Sequence, residues 1–537
     1  MAATVTLPLS SQPKASDSTT LDLGFACKLV TALTLLALAV HGYHPYAEDG
    51  GLYMAEIKRQ LDPSLYPHGA EFVTGHLRFS LFGSLTVGLV HRSHMTLGTV
   101  LLLLHVVSFW TTLLAAWLLS AQCYTARKAR IGAVTLLATW ITLPIAGTSL
   151  MLMDPYVTAR SVSTPCVLLA LACTLELLLP AAGGLAKRWG IFVSFCAALL
   201  LAAVMHPLMA AYGLGCVLVL ACILSSLGRV QIWGTAGLGM AALGVAGAIQ
   251  AMAPPESAAY AHAAMTRSYW FPGSWHWYEQ FGLIAPMILL AIVGFGRRRE
   301  GDAARVALAR MAVVCGGVAV AVALLFARPS LATHAIARLQ PLRIFQIVYV
   351  VMILLVGAAL AERLLQRCFL RWVTTFGLFA LTMLFAERQT FPSSAHLELP
   401  WRTPQNQWKQ AFVWISQNTP KDALFALDAH YITSPGEDAQ SFRAIAERSV
   451  LPDYSKDGGE ASITPGLTSA WMVGVTAQMR LSDESDALVV VVSEERATVS
   501  VAERGQLFLD LTPTGVRDFL AGRPPQHAVP PAAGVPV

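Results

Sequence analysis

The chain has 537 residues, of which 55% are hydrophobic and only 13% are charged, whereas about a quarter of the residues in a soluble protein are charged. Together with a mean hydropathy of +0.56, this composition excludes a soluble enzyme, a disordered chain, a collagen and a coiled coil. The net charge is +11 over residues 1–390 and −6 over residues 391–537. We attribute the basic excess to loops beside anionic lipid and not to nucleic-acid binding.

Apolar runs long enough to cross a bilayer follow one another up to about residue 390. They predict an α-helical polytopic membrane protein with about eleven transmembrane helices over 21–390, after a disordered polar tail, 1–20. The first run lacks a small-residue cleavage site, so it is expected to stay as a helix and not to be removed as a signal peptide. The expected spans are 21–41, 95–120, 131–150, 162–180, 190–204, 208–226, 232–251, 280–296, 306–326, 344–361 and 372–386.

A shorter apolar run, 79–90, decides the topology. It covers about 18 Å of a hydrocarbon core that is about 30 Å thick. If it crossed, the basic cluster Arg127–Arg130 would lie on the opposite side from the later basic loops. We therefore expect it to lie flat on the outer surface, within a first outer loop, 42–94. The N-terminus is then cytoplasmic and the region after residue 390 is extracytoplasmic.

The C-terminal region predicts a small α/β domain, because helical and strand patterns alternate along it. It covers 391–522, and the Pro-rich end, 523–537, is expected to be disordered. The expected elements are an amphipathic helix at 408–418, a short buried strand at 423–427, a helix at 441–448 and a strand at 487–492.

Two adjacent carboxylates, Glu48 and Asp49, follow closely after the end of the first span, with Tyr53 a few residues beyond. Carboxylates near the membrane boundary are costly unless they are solvated or paired. They are candidates for a general base or for metal ligands. The alternative is a hydrated turn in which Asp49 caps the next helix.

The second outer loop repeats the pattern, with Asp154 directly after the third span and Arg160 six residues later. The alternative is a turn begun by Asp154-Pro155, with Arg160 reaching toward water. That both acidic turns face the same side favours a functional interpretation.

A third outer loop is unusually basic and contains His334, Arg338 and Arg343. An excess of Arg in an outer loop opposes the orientation rule. An anionic ligand such as a lipid phosphate would explain it. Ion pairing at the rim is the alternative.

Tryptophans crowd another outer loop, where Trp275 and Trp277 are candidates for stacking on a sugar or an acceptor, and Tyr53 of the first outer loop is a candidate for the same ligands. Anchoring in the aromatic belt of the membrane is the more ordinary role.

In this layout the chain resembles the GT-C superfamily of membrane glycosyltransferases, over roughly residues 40–390. These enzymes use polyprenyl-phosphate-linked sugars, and they include the oligosaccharyltransferase catalytic subunit, the protein O-mannosyltransferases and the bacterial aminoarabinose transferases of lipid A. The resemblance is specific at Glu48-Asp49 and at Asp154. In addition, Trp408 to Phe425, with Asn418-Thr419-Pro420 inside it, resembles a stretch in bacterial membrane proteins of this general layout.

The resemblance implies an enzyme that transfers a sugar from a polyprenyl-phosphate carrier to an acceptor hydroxyl at the outer face of the inner (plasma) membrane. Asp49 or Glu48 matches the first-loop catalytic acid and Asp154 the second-loop acid. The carrier phosphate is the leaving group and departs as an anion, so it needs positive charge nearby. Candidates for that charge are Arg338, Arg343, Arg160 and His334. One displacement step implies inversion at the sugar carbon.

The chain departs from the family in two respects. Ala47 stands where an Asp-x-Asp motif would need a carboxylate, and no WWD-type acceptor motif is present. Metal dependence and a peptide acceptor are therefore open, as is the oligomeric state. A lipid or solute transporter, and a non-catalytic protein that presents the C-terminal domain to a partner, remain as alternatives.

Overall fold

The structure is a computed structural model of the chain. It describes residues 17–75, 77–179, 184–296, 302–392, 394–426, 441–453, 456–481, 489–493, 498–503 and 506–511. Of the expectations above, residues 1–16 of the N-terminal tail and the Pro-rich end, 523–537, lie outside these residues. The first helix begins at Asp17, so residues 17–20 of the expected tail are helical.

The part of the chain up to residue 392 is a bundle of helices, as its hydropathy predicts. Within the described residues, ten helical segments are long and apolar enough to cross a membrane, so the protein is a multi-pass membrane protein. These segments are Leu23–His41, Leu97–Cys123, Ala159–Leu178, Leu185–Met205, Pro207–Leu224, Val230–Met252, Trp277–Phe295, Ala303–Phe326, Ala335–Leu365 and Phe369–Thr390.

Fifteen α-helices make up this part of the described chain. They are α1 (Asp17–His41), α2 (Asp49–Leu61), α3 (Phe82–Ser93), α4 (Leu97–Cys123), α5 (Arg127–Thr139), α6 (Ala159–Leu178), α7 (Leu185–Met205), α8 (Pro207–Leu224), α9 (Thr235–Met252), α10 (Ala258–Met265), α11 (Trp277–Phe295), α12 (Ala303–Phe326), α13 (Ala335–Leu339), α14 (Phe345–Leu360) and α15 (Phe369–Thr390).

The segment 131–150 differs from the single long helix predicted for it. Its helix, α5, ends at Thr139, and the following residues are not helical. Even so, this segment extends along most of α1. At one end Arg127 stacks on the ring of Phe25, 3.4 Å from its centroid. At the other, Thr142 Oγ1 lies 2.7 Å from His41 Nδ1. A helix of about 20 Å with a non-helical continuation thus covers the same depth as a longer helix.

Close backbone contact holds α5 against the centre of the bundle. A Cβ atom added to Gly132 would lie 2.6 Å from the carbonyl oxygen of Gly357 in α14, and one added to Gly357 would lie 2.5 Å from that of Gly132. Any larger residue at either position would therefore push the two helices apart. Most of α14 is buried, so it forms the middle of the apolar core.

We call the end of the bundle at which α1 and α7 finish the domain face. One buried apolar cluster there joins α2, α3, the first turns of α4 and α6, the end of α7 and Ala444 from the C-terminal region. The short helix α3 starts beside the end of α7, since Ser80 donates to the carbonyl of Met205 at 2.6 Å. Because α4 begins at the same face, against Pro400, α3 lies along this face without crossing, as its length predicts.

The C-terminal region contains short helices and two small sheets, consistent with the predicted α/β mixture. A two-stranded sheet pairs Leu424–Phe425 with Ser449–Val450 in parallel, and three further strands, Val489–Ser493, Thr498–Glu503 and Gln506–Leu511, form an antiparallel meander. The predicted elements at 408–418, 423–427, 441–448 and 487–492 each correspond to an observed one. The elements are α16 (Gln407–Asn418), β1 (Leu424–Phe425), α17 (Ser441–Ala446), β2 (Ser449–Val450), α18 (Lys456–Ile463), α19 (Thr468–Leu481), β3 (Val489–Ser493), β4 (Thr498–Glu503) and β5 (Gln506–Leu511).

The C-terminal region packs closely onto the first outer loop. Lys58 of α2 forms an ion pair with Glu447 at 2.6 Å, and the hydroxyl of Tyr66 donates to the carbonyl of Arg443 at 2.7 Å. His44, just beyond α1, pairs with Glu398 at 2.9 Å. The domain face is therefore built jointly by bundle and C-terminal region.

Candidate functional site

The first acidic pair stands on a tight turn between α1 and α2. Glu48 has a φ of 46°, in the left-handed region, and precedes the first residue of α2, Asp49. A Cβ atom on Gly50 would lie 2.6 Å from the carbonyl oxygen of Pro45, so the turn needs glycine there. Glu48, and not Asp49, occupies the cap position, and its side chain makes no capping hydrogen bond. The helix-capping alternative for Asp49 is therefore wrong.

Both carboxylates are paired with a lysine from the C-terminal region. Lys456 Nζ forms an ion pair with Glu48 Oε2 and lies 3.2 Å from Asp49 Oδ1. The lysine side chain is 17% exposed, while those of Glu48 and Asp49 are 58% and 37% exposed. The acids are thus paired yet still open to solvent on one side.

A buried network positions this lysine. Asp453 Oδ1 accepts from the backbone N–H groups of Lys456 and Asp457, at 2.7 and 3.1 Å. Asp457 is fully buried and makes a bidentate ion pair with Arg443, at 2.6 and 2.8 Å. Planar two-bond pairing of this kind restricts orientation strongly. The first turn of α18, which carries Lys456, is therefore held in one place relative to α17.

The second acidic loop contributes a buried ion pair. Asp154 lies in the non-helical stretch before α6, and its Oδ2 pairs with Arg160 in the first turn of that helix. Both side chains are buried. Burial raises the pKa of Asp154, and the positive charge of Arg160 opposes that rise. Among the described residues, the other terminal nitrogen of Arg160, Nη1, is buried with no hydrogen-bond partner.

Arg343 approaches the same place from between α13 and α14. Its Nε donates to Gln340 Oε1 at 2.6 Å. The charge of Arg343 is close enough to repel that of Arg160 and to attract those of Asp49 and Asp154. Two guanidinium groups and two carboxylates from separate parts of the sequence therefore influence one another electrostatically at the domain face.

Tyr53 lies within this cluster, on the first turns of α2. Its ring meets Phe82 edge-on, with 5.6 Å between centroids. Burial raises the pKa of its phenol strongly, and the charge of Asp49 adds to the effect while Arg160 and Arg343 oppose it. The phenol thus stays protonated at neutral pH.

Two of the predicted basic residues have other surroundings. The Nδ1 atom of His334 lies 2.7 Å from Glu256 Oε2, and its backbone N–H pairs with the second oxygen of that carboxylate. Arg338 faces Tyr260 and a separate cavity beside α9. The expected group of phosphate-binding residues is therefore divided, with Arg160 and Arg343 near the acids and Arg338 and His334 near Glu256.

The two predicted tryptophans differ from each other. Trp275 is buried, and its ring fills the space that a Cβ on Gly147 would need, only 2.4 Å away. Trp277 starts α11 and is 78% exposed, which fits the aromatic belt. Trp275 thus has a packing role between two loops of the domain face.

The residue that sequence reasoning missed is Lys456. Only its neighbours Asp453 and Asp457 hint at a capped turn, and nothing local connects it to residues four hundred positions earlier. Within the described residues, no group of three or more His, Cys, Asp or Glu could hold a metal ion, so we assign no metal ligands there. No family model matches the chain, and a search among curated proteins found no similar protein.

Proposed function

We propose that this protein is a membrane glycosyltransferase that moves a sugar from a polyprenyl-phosphate carrier to an acceptor hydroxyl at the domain face, with inversion. We place it in the inner (plasma) membrane, with the domain face outside and the N-terminus cytoplasmic. The short basic loops support this orientation, since Arg127 lies at the opposite end of α1 from His41.

The observation that carries the proposal is the pair of arginines beside the acids. The charges of Arg160 and Arg343 disfavour each other electrostatically, and Arg160 has a buried nitrogen without a partner among the described residues. Buried charges are normally paired and hydrogen-bonded. An anion between the two guanidinium groups would satisfy both requirements, and a lipid phosphate at the membrane boundary is such an anion.

Each group then has a chemical role. The carrier phosphate leaves as an anion and needs no general acid, so Arg160 and Arg343 stabilise the charge that develops on it. Asp49, or its neighbour Glu48, accepts the proton of the attacking hydroxyl. Asp154 orients Arg160 through their ion pair. Tyr53 can donate a hydrogen bond to a sugar or acceptor oxygen.

The position of the charged groups favours this reaction over transport. Transporters place ionisable residues near the middle of the membrane. Here the clustered acids lie in loops at one face. Glu176, near the other end of α6, pairs with Lys187 at 2.8 Å with both side chains partly exposed, as expected for a residue at the membrane surface.

The proposal is tested with the purified full-length protein in nanodiscs. Binding of polyprenyl phosphate should weaken by one to two decades in Arg343→Ala, since loss of a charge-assisted hydrogen bond costs roughly 1.5–3 kcal/mol. Arg343→Lys should also weaken it, because lysine cannot reproduce bidentate geometry. Arg328→Ala, an exposed arginine of the same loop, is the control.

A second arm separates binding from chemistry. Asp49→Asn should bind the carrier like the parent protein and lose sugar transfer, measured with a panel of polyprenyl-phosphate sugars. Full transfer activity in the double variant Glu48→Gln/Asp49→Asn would contradict the catalytic role of this turn. Unchanged carrier binding in both Arg343→Ala and Arg160→Ala would contradict the phosphate site.

A further inference from the structure

A cavity of about 510 Å³ lies outside the cluster of acids and arginines described above. Its floor is the end of α9, with Val245, Ile249 and Met252, and its walls come from α10, α13 and Pro465. Cavities of this volume are typical of small-ligand sites. No role proposed above uses it.

The helix that forms the floor belongs to the surface of the bundle. Only Ala246 of α9 is buried, and Val245 and Met252 are 59% and 84% exposed. In a membrane span, such a surface faces lipid tails. The cavity is therefore open to the membrane on its apolar side.

The polar end of the cavity carries an arginine together with a carboxylate that is already hydrogen-bonded. Glu256 and Arg338 are its charged lining residues. Both oxygens of Glu256 accept hydrogen bonds from His334, one from the ring and one from the backbone. The Arg338 side chain is half-buried beside Tyr260 and faces the cavity. An apolar trough that ends at an arginine complements a molecule with an apolar chain and an anionic head group.

We propose that this cavity is a binding site for one anionic membrane lipid, with its acyl chain along α9 and its phosphate at Arg338, separate from the carrier site at Arg160 and Arg343. The head group then lies beside Pro465 of the C-terminal region, so the lipid connects this region with α9 and α13. This inference does not depend on sugar transfer, because it concerns lipid binding alone.

The test uses photoreactive lipids with a diazirine on the acyl chain, incorporated into nanodiscs that hold the full-length protein. Phosphatidylglycerol and phosphatidylcholine analogues are compared, and labelled peptides are mapped by mass spectrometry. We expect the anionic probe to label residues 245–260 about tenfold more than the zwitterionic probe, since an arginine–phosphate contact is worth at least one decade in affinity. Equal labelling by the two probes would overturn the proposal.

Matched variants identify the residues responsible. Arg338→Gln should reduce anionic labelling to the zwitterionic level, Arg338→Lys should retain part of it, and Arg328→Gln should leave it unchanged. Ala248→Trp should block the trough for both probes, while Ile292→Trp, on the exposed face of α11, should not. Labelling in Arg338→Gln like that of the parent would overturn the head-group assignment.

A competition experiment separates this site from the carrier site. Excess polyprenyl phosphate should leave labelling of the trough unchanged, and so should Arg343→Ala. If polyprenyl phosphate displaces the probe, the trough is the carrier site and the separate lipid site is wrong. Labelling of the trough can persist in excess polyprenyl phosphate while Arg343→Ala still binds the carrier normally. In that case the proposed function fails and the lipid site stands.

Discussion

Lys456 Nζ lies 3.2 Å from Asp49 Oδ1, although 407 positions separate the two residues in the chain. The lysine belongs to the C-terminal region and the aspartate to the turn after α1. Because the same lysine also pairs with Glu48, one cation holds both acids of the turn. The C-terminal region is thus a structural part of the candidate site.

The first prediction concerns this lysine. In Lys456→Met, the two carboxylates lose a charge-assisted partner and repel each other. We expect sugar transfer, measured as kcat, to fall by about one decade, while the affinity for polyprenyl phosphate changes little. Lys456→Arg should restore part of the activity.

The control is Lys421→Met in the same region. Lys421 pairs with Asp62 at 3.5 Å, and both side chains are largely exposed, so its loss should have almost no effect. Equal activity in Lys456→Met and Lys421→Met would show that Lys456 is an ordinary surface partner.

The second prediction concerns the buried pair of Asp154 and Arg160. Removing one member leaves a buried charge without its partner, which typically costs about 3–5 kcal/mol, whereas replacing both with apolar groups costs far less. We expect Asp154→Leu to lower the thermal midpoint in detergent strongly. The double variant Asp154→Leu/Arg160→Met should recover most of that loss and lose carrier binding. A double variant no more stable than the single one would contradict the pairing argument.

The third prediction concerns pH and Glu398. Burial raises the pKa of Glu398, but the hydrogen bond from His44 and the charge of Lys409 outweigh it and hold that pKa below its ordinary value. A carboxyl whose pKa is lowered by folding stabilises the folded state above its unfolded pKa of about 4.3. That contribution disappears as the pH falls through the lower, folded pKa.

The measurement compares the parent protein with Glu398→Gln. Thermal midpoints in detergent should differ most at neutral pH, and the difference should shrink as the pH falls below about 4.3. Other carboxyl groups titrate equally in both proteins, so the difference isolates Glu398. A difference that is constant down to pH 3 would contradict the role assigned to its ionised form.

The fourth prediction concerns orientation. A tag after Val537 should be accessible from outside the cytoplasm, and a tag in the loop 297–305 should be accessible only after the membrane is permeabilised. The reason is the positive charge of the short loops at the end of the bundle opposite the domain face. The reverse labelling pattern would contradict the orientation proposed for the site.

The membrane class and nearly all of the spans follow from the amino-acid sequence. The hydrocarbon core imposes a minimum length and an apolar composition on each crossing helix, and both can be read locally. The same local logic assigned 79–90 to a surface helix. It failed at 131–150, where α5 ends at Thr139 and Pro144 lies inside the expected span.

The candidate site was only partly determined by the sequence. Glu48, Asp49 and Asp154 stood out because carboxylates are costly at a membrane boundary, and Arg343 because it opposes the charge rule. Tertiary structure alone decided that Arg160 pairs with Asp154, that Arg338 belongs to a different cavity, and that Lys456 reaches the first turn. Asp154 and Arg160 are close in the chain, and their pairing depends on how the non-helical stretch before α6 folds. The other two placements join residues far apart in the chain, which leave no periodic signal of their contact.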